Sequence, residues 1–289
     1  AMYRAKHAGG GRCEIFDDRM RDQAVQRLSV QRDLARALES GEIHPWYQPI
    51  VELSTGRVTG CEALARWDHP TRGTLLPADF LEHADETDAI IRIDTIVMDA
   101  ASRQVAEWNR ARPASDQLCL SVNVSARHVL SDRLAEHVAR ALEASGLPGS
   151  ALCLDMSEHA IMDDVEINRQ ALVQVRDLGV QVAVDDFGTG SASLAHMSRL
   201  PVDLLKIDRS FVRGLVDTRE PRAALVRAIE TLGHAMGLRL VVEAVETQQE
   251  YEVVRSLGID EAQGFFWGPP TPPDEAVWAT EHLDLGVSR

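Results

Sequence analysis

From Ile43 onward the sequence keeps one rhythm. A short apolar run rich in β-branched residues alternates with a longer stretch whose apolar residues recur at helical spacing. The strand-like runs HPWYQPIVEL (44–53) and RVTGCEALARW (57–67) open the series, joined by Ser54-Thr55-Gly56, and a helix is expected over 78–109. LCLSVNVS (118–125) leads into a helix over 131–144, ALCLDMSE (151–158) into 163–178, and VQVAVDD (180–186) into 191–199. VDLLKID (202–208) precedes a helix over 221–236, LRLVVEAVE (238–246) precedes 248–257, and AQGFFWG (262–268) closes the series. Strands this apolar are buried on both faces, which places them in a parallel sheet covered by the intervening helices. About eight strands with about seven helices give an α/β fold of the (β/α)8-barrel kind rather than an open sheet. The hairpin-like opening pair predicts one early antiparallel strand that breaks the pattern.

The residues before Ile43 read differently. Met20, Ala24, Leu28, Leu34 and Leu38 recur at helical spacing with Gly41 as a stop, so 17–40 is expected to be an N-terminal linker helix. Residues 1–16 are too few to bury a core of their own and read as the remnant of an upstream domain. The chain opens on Ala1, not methionine, and is expected to be a segment of a longer protein, with the barrel over 41–289.

A formal net charge of −15 argues against binding a nucleic acid polymer or an anionic membrane surface. A phosphate-bearing substrate therefore needs a local positive centre, either arginine or metal. Cys13, Cys61, Cys119 and Cys153 show no paired spacing and read as free thiols of a reducing compartment, the cytoplasm. No apolar run approaches twenty residues, so no membrane contact is expected from this segment; any anchor would lie elsewhere in a longer protein.

Polar residues fall at one address along the series. Glu62, Asn123, Asp155, Asp185 with Asp186, Lys206 with Asp208, Glu243 with Glu246, and Gln263 each sit at the end of a strand run or just past it. Barrel strands converge at their C-terminal ends on one open face, so these groups share one cavity, where carboxylates repel unless cations neutralise them. The donors are oxygens without histidine or cysteine in register, a set that suits Mg²⁺ or Mn²⁺. Adjacent aspartates can serve two ions as a clamp for phosphoester hydrolysis, one ion, or a salt-bridged network with no ion at all.

The run 61-CEALARW-67, preceded by YQPIVEL and followed by HP..G...P..FL, resembles the signature of the EAL family of bacterial cyclic di-GMP phosphodiesterases. The resemblance continues through SVNVS, DMSE, VDDFGTG, LP.D.LKID.SFV, VVEAVET and QGFFWG.P, over about residues 40–275. It implies a barrel with two Mg²⁺ or Mn²⁺ ions that opens cyclic di-GMP to the linear dinucleotide. It further implies that Glu62, Asn123, Asp155 and Asp185 hold one ion, and that Asp185 bridges to a second beside Asp186 and Glu246. Glu243 and Lys206 would act on the attacking water, supported by Gln263, while Gln48 and Arg66 would meet the substrate. Glu158 would brace the loop 186–193, with Gly188 and Gly190, against the partner of a homodimer. The opening AMYRAKHAGGGR resembles the tail of a GGDEF domain, which implies upstream cyclase-like or sensory domains in the full-length protein.

Two positions depart from the family pattern. Asp155 stands where the family has glutamate, and Ala244 where it has glycine. Aspartate is one methylene shorter, so its carboxylate falls short by roughly 1.3–1.5 Å. The expectation is a slow enzyme that needs more metal and favours Mn²⁺. The alternative is a domain that binds the dinucleotide as a receptor without cleaving it.

Overall fold

A computed structural model of the chain describes residue 30 and residues 32–162, 165–189, 197 and 200–280. The strands are β1 (Ile43–Glu52), β2 (Val58–His69), β3 (Gly73–Leu75), β4 (Cys119–Asn123), β5 (Leu152–Ser157), β6 (Gln181–Phe187), β7 (Leu204–Ile207), β8 (Arg239–Val242) and β9 (Glu261–Gln263). Eight of them close into a barrel: β2, β4, β5, β6, β7, β8 and β9 run parallel in that order. The expected irregular strand is β1, which pairs antiparallel with both β2 and β9 and so seals the ring. β3 adds a short antiparallel edge to β2.

Helices cover the outside, and their boundaries show where local chemistry overrides periodicity. The stretch expected as one helix over 78–109 is two, Pro77–Asp85 and Ala89–Arg110. Thr87 breaks it: its hydroxyl donates to the Ala84 carbonyl at 3.1 Å and accepts from the Ala89 N–H at 3.3 Å, competing with the helical ladder. The helix expected over 131–144 begins later, at Leu134–Ser145, after a separate turn at Ala126–Val129 capped by Ser125. The run 238–246 pairs only as far as Val242, and 262–268 only as far as Gln263. Of the linker helix, 32–40 is helical, and Leu34, Ala37 and Leu38 are buried against the barrel. The remnant 1–16 and most of the helix expected over 191–199 lie outside the described residues.

Side chains on a strand alternate faces, which divides the barrel in two. Outward positions join the helices in one large apolar core that includes Leu120, Leu154, Val182, Leu205 and Leu240. Inward positions near the strand starts form a small separate cluster of Ile50, Cys153, Ala183, Leu204 and Val241, with Cys119 against it. Two residues further along the same strands the inward positions turn polar: Ser121, Asp155, Asp185, Lys206 and Glu243. Gly60, Cys119, Cys153 and Ala183, between the larger residues of the lower layer, border a cavity of about 210 Å³ that reaches up to Asp155 and Lys206.

Candidate active site at the C-terminal face

Lys206, 1% exposed, is the centre of the site. Its Nζ lies 2.8 Å from Glu243 Oε1, 3.0 Å from Glu62 Oε2, 3.0 Å from Asp155 Oδ2 and 3.6 Å from Asp185 Oδ1. Burial alone would drive an ammonium towards neutrality, but Asp155, Asp185, Glu243 and Glu62 together raise its pKa well above the usual lysine value. The carboxylates do not share one fate. Glu62 is opposed by burial yet held below the usual range by Lys206 and by amide donors, Gln263 Nε2 at 2.5 Å and Asn123 Nδ2 at 2.6 Å. Burial pushes Asp155 up to about 6, with repulsion from Glu62 and Asp185 adding to it, although Ser121 Oγ donates to it at 2.5 Å. Burial likewise lifts Glu243 to about 8, against the pull of Lys206.

One ammonium facing four carboxylates leaves negative charge uncompensated, and the excess lies towards the open end. There Asp185, Asp186 and Glu243 offer oxygens that all fall within 4.8 Å of one another. Successive strand residues point to opposite faces, so adjacent aspartates converge only if the backbone departs from strand geometry. Asp186 does so with a left-handed φ of 54°, where the β6–β7 register slips between Val184 and Phe187. Its N–H donates to Asp185 Oδ1 at 2.8 Å. The donors are carboxylate and amide oxygens, and the Oε1 of Gln263 is buried without a hydrogen-bond partner. Such a set fits a hard divalent cation.

Glu243 leads a loop held against the barrel rim: the Val245 N–H donates to the Gln263 carbonyl at 3.1 Å, and the Phe266 N–H to the Val245 carbonyl at 3.0 Å. Glu246, expected at the second ion, is exposed and lies outside the three-carboxylate group. Gln48 sits directly across from Glu62 in the β1–β2 register and donates to the Gly268 carbonyl at 3.1 Å. Arg66 is four residues beyond Glu62 on the same face of β2, its guanidinium 5.2 Å from the Trp46 ring centre and its Nε without a partner. Glu158, buried at the start of the helix after β5, accepts the Gly188 N–H at 2.9 Å. Gly190 lies outside the described residues.

Sequence reasoning missed two residues here. Ser121 is legible only through period-2 alternation, which puts it on the face of Asn123. Glu250 was hidden in a helix start, although Thr247-x-x-Glu250 is a capping-box pattern.

The model of the family described as "EAL domain" matches residues 31–270. The chain belongs to the EAL domain family. This EAL domain is 37% identical over 277 residues to the protein named bifunctional diguanylate cyclase/cyclic di-GMP phosphodiesterase MucR of Pseudomonas aeruginosa, covering 96% of this chain and 40% of the relative. The solved PaMucR phosphodiesterase in complex with c-di-GMP superposes with a TM-score of 0.80 at 37% identity, over 86% of this chain and 99% of that one. The EAL enzyme Bd1971 in its cAMP and cyclic-di-GMP bound form gives 0.83 at 28% identity, over 97% and 73%. The chain spans about a third to two fifths of the curated relatives it matches, such as 33% of the protein y4lL of Sinorhizobium fredii, which is 37% identical over 277 residues and 96% of this chain.

Ala244 carries a left-handed φ of 54° in the loop of Glu243. A Cβ in that conformation costs about 1–2 kcal/mol, more than the roughly 0.4–1 kcal/mol by which glycine's freedom favours the unfolded chain. Ala244→Gly is therefore expected to stabilise this EAL domain by up to about 1 kcal/mol. Urea unfolding monitored by circular dichroism checks this, and a lower midpoint for Ala244→Gly contradicts the strain argument.

Proposed function

We propose that this EAL domain hydrolyses cyclic di-GMP to linear pGpG with Mg²⁺ or Mn²⁺ as the required cation. The observation that carries the reading is the buried Lys206 ringed by Glu62, Asp155, Asp185 and Glu243, with the oxygen cluster of Asp185, Asp186 and Glu243 at its open side. The likeness to the PaMucR phosphodiesterase solved with c-di-GMP supports the choice of substrate.

Glu62, Asn123, Asp155 and Asp185 would hold one ion, and Asp185 and Asp186 the second, which Glu246, exposed and outside the three-carboxylate group, would reach through water. Bound there, divalent ions neutralise phosphate oxygens and lower the pKa of a water molecule. The chain's own side chains do the rest. Glu243 is the acceptor for the proton of the attacking water, and the 2.8 Å bond from Lys206 fixes which way its carboxylate faces. Lys206 adds positive charge beside the phosphorus as the new P–O bond forms and one ring P–O bond breaks. Gln263 and Asn123 orient Glu62 through their amides. Arg66 and Gln48 meet the substrate, the guanidinium on a phosphate. The upstream domains of a longer protein supply control, and the cytoplasm is the compartment in which this reading places the domain. Among the described residues no helix is long and apolar enough to cross a membrane.

Incubating the purified chain with cyclic di-GMP and Mg²⁺ or Mn²⁺ should give pGpG by chromatography, and excess EDTA should stop it. Undiminished turnover in EDTA would refute the metal requirement. The second reading, a receptor that binds without cleaving, is favoured by Asp155 and Ala244 at positions where the family has glutamate and glycine. Binding of the dinucleotide by calorimetry with no product at any metal concentration would decide for it.

Asp155 separates two sources of slow turnover. Its carboxylate meets Ser121 and Lys206 and is not part of the three-carboxylate group. The lumen cavity reaches Asp155 from below. Asp155→Glu is expected to lower the Mn²⁺ concentration for half-maximal rate and to raise kcat, by up to about 10²-fold for a gap near 1 Å. A slower Asp155→Glu enzyme would mean that the site is built around aspartate.

The same reading carries a homodimer, with the loop after β6 braced by Glu158 towards the partner. Sedimentation at assay concentration should show a dimer whose dilution lowers specific activity. A fully active monomer removes this link.

A further inference from the structure

The loops that follow β7 and β8 are bridged by a buried side chain that belongs to neither, beside the Glu243 N–H that donates to the Ile207 carbonyl at 3.2 Å. Glu250, 3% exposed, sits in the first turn of the helix Gln248–Ser256. Its Oε1 accepts the Gly214 N–H at 2.6 Å, from the loop that follows β7. Its Oε2 accepts the Glu246 N–H at 2.8 Å and the Thr247 N–H at 3.0 Å, from the loop that carries Glu243. An ordinary capping box needs its glutamate only for the N–H of the capping residue, Thr247 here. Glu250 goes further, because its second oxygen crosses to another loop. A carboxylate that accepts three backbone N–H groups is fixed in both position and charge.

The link continues past Gly214. The short turn Arg209–Phe211 begins at Asp208, whose side chain accepts the Ser210 N–H. The edge of the Phe211 ring lies where a Cβ on Gly188 would stand, 2.5 Å from its Cε2. Gly188 in turn donates to Glu158 at 2.9 Å. The loops after β6, β7 and β8 therefore form one contiguous arc around the open face, and Glu250 is its bridge between the last two.

We propose that Glu250 is a positioning residue that holds the loop of Glu243 and Glu246 at the height the metal and water require, by tying it to the loop after β7. The inference rests on the metal-dependent reading of the site, but not on which substrate is cleaved. Glutamine is the informative replacement because it keeps the volume. Its one carbonyl oxygen can serve only one of the two loops, and its NH₂ then faces an N–H donor on the other.

The test measures Mn²⁺ affinity by electron paramagnetic resonance, with kcat and KM read in parallel. Glu250→Gln is expected to raise the Mn²⁺ dissociation constant and lower kcat, each by about 10-fold or more, while KM for the dinucleotide stays within about 2-fold. Thr247→Ala, which removes the cap hydroxyl and leaves the bridge, should lower the melting temperature without moving Mn²⁺ affinity. Equal losses of affinity in the two variants at equal losses of stability would reduce Glu250 to a helix cap and overturn the proposal. So would a folded Glu250→Gln enzyme with wild-type affinity and kcat. Hydrogen exchange on the wild type gives a reading that needs no variant. Mn²⁺ should slow exchange at Gly214, which carries no metal ligand, together with Glu246 and Thr247; protection confined to 185–187 and 243–246 counts against the bridge. A wild type that binds no Mn²⁺ at all fails the metal reading instead, so the two failures are told apart.

Discussion

Burying one lysine among four carboxylates is the constraint around which this barrel is arranged. A dehydrated ammonium costs several kcal/mol unless its partners come within hydrogen-bond reach, and here Lys206 meets carboxylates from β2, β5, β6 and the residue just past β8. Those contacts need the ring closed to the register observed, so the antiparallel β1 is structural in a specific sense. By pairing with both β2 and β9 it fixes Glu62 and Gln263 as neighbours, and the amide of Gln263 then offsets the burial of Glu62. Removing Lys206 would leave mutually repelling carboxylates in a cavity of low dielectric. The lysine thus has a part in folding.

Charge alone does not turn acidic groups towards a ligand; the backbone must leave the strand to do so. Among the described residues it leaves it twice at left-handed non-glycine residues, Asp186 at the end of β6 and Ala244 just past the end of β8, both with φ of 54°. Each lies directly beside a carboxylate that faces Lys206, Asp185 in one case and Glu243 in the other. Strain of this kind persists only where surrounding contacts over-determine the conformation. For Ala244 those contacts are the hydrogen bonds of Val245 to the β9 strand end and the cap formed by Glu250. The local instability of these two residues and the alignment of their neighbours are the same geometric fact.

Much of this was legible before any coordinates. Apolar runs at regular spacing give the parallel strands, and Ser54-Thr55-Gly56 marks the hairpin that makes β1 antiparallel. The polar residues at strand ends locate the open face, because a buried strand tolerates such groups only there. What escaped is set by forces with no period. Thr87 divides a helix through two hydrogen bonds to its own backbone, and β8 stops at Val242 because Ala244 turns left-handed. Glu246 carries the same motif signature as Glu243 yet ends exposed, since its backbone N–H, not its carboxylate, is what Glu250 holds.

The barrel lumen shapes the surroundings of Asp155. A barrel interior is ordinarily filled by layers of large branched side chains. In this chain the inward positions beneath the site include Gly60, Cys119, Cys153 and Ala183, and the space they leave extends to Asp155. The short acid sits above the small layer, so neither crowding from below nor strand geometry forces its carboxylate outward to the rim. It settles instead on Lys206, with Ser121 holding its other oxygen. A glutamate on the same Cα would carry its charge one bond further from the strand. Aspartate at 155 therefore keeps its negative charge on the lysine and out of the open cluster of Asp185, Asp186 and Glu243.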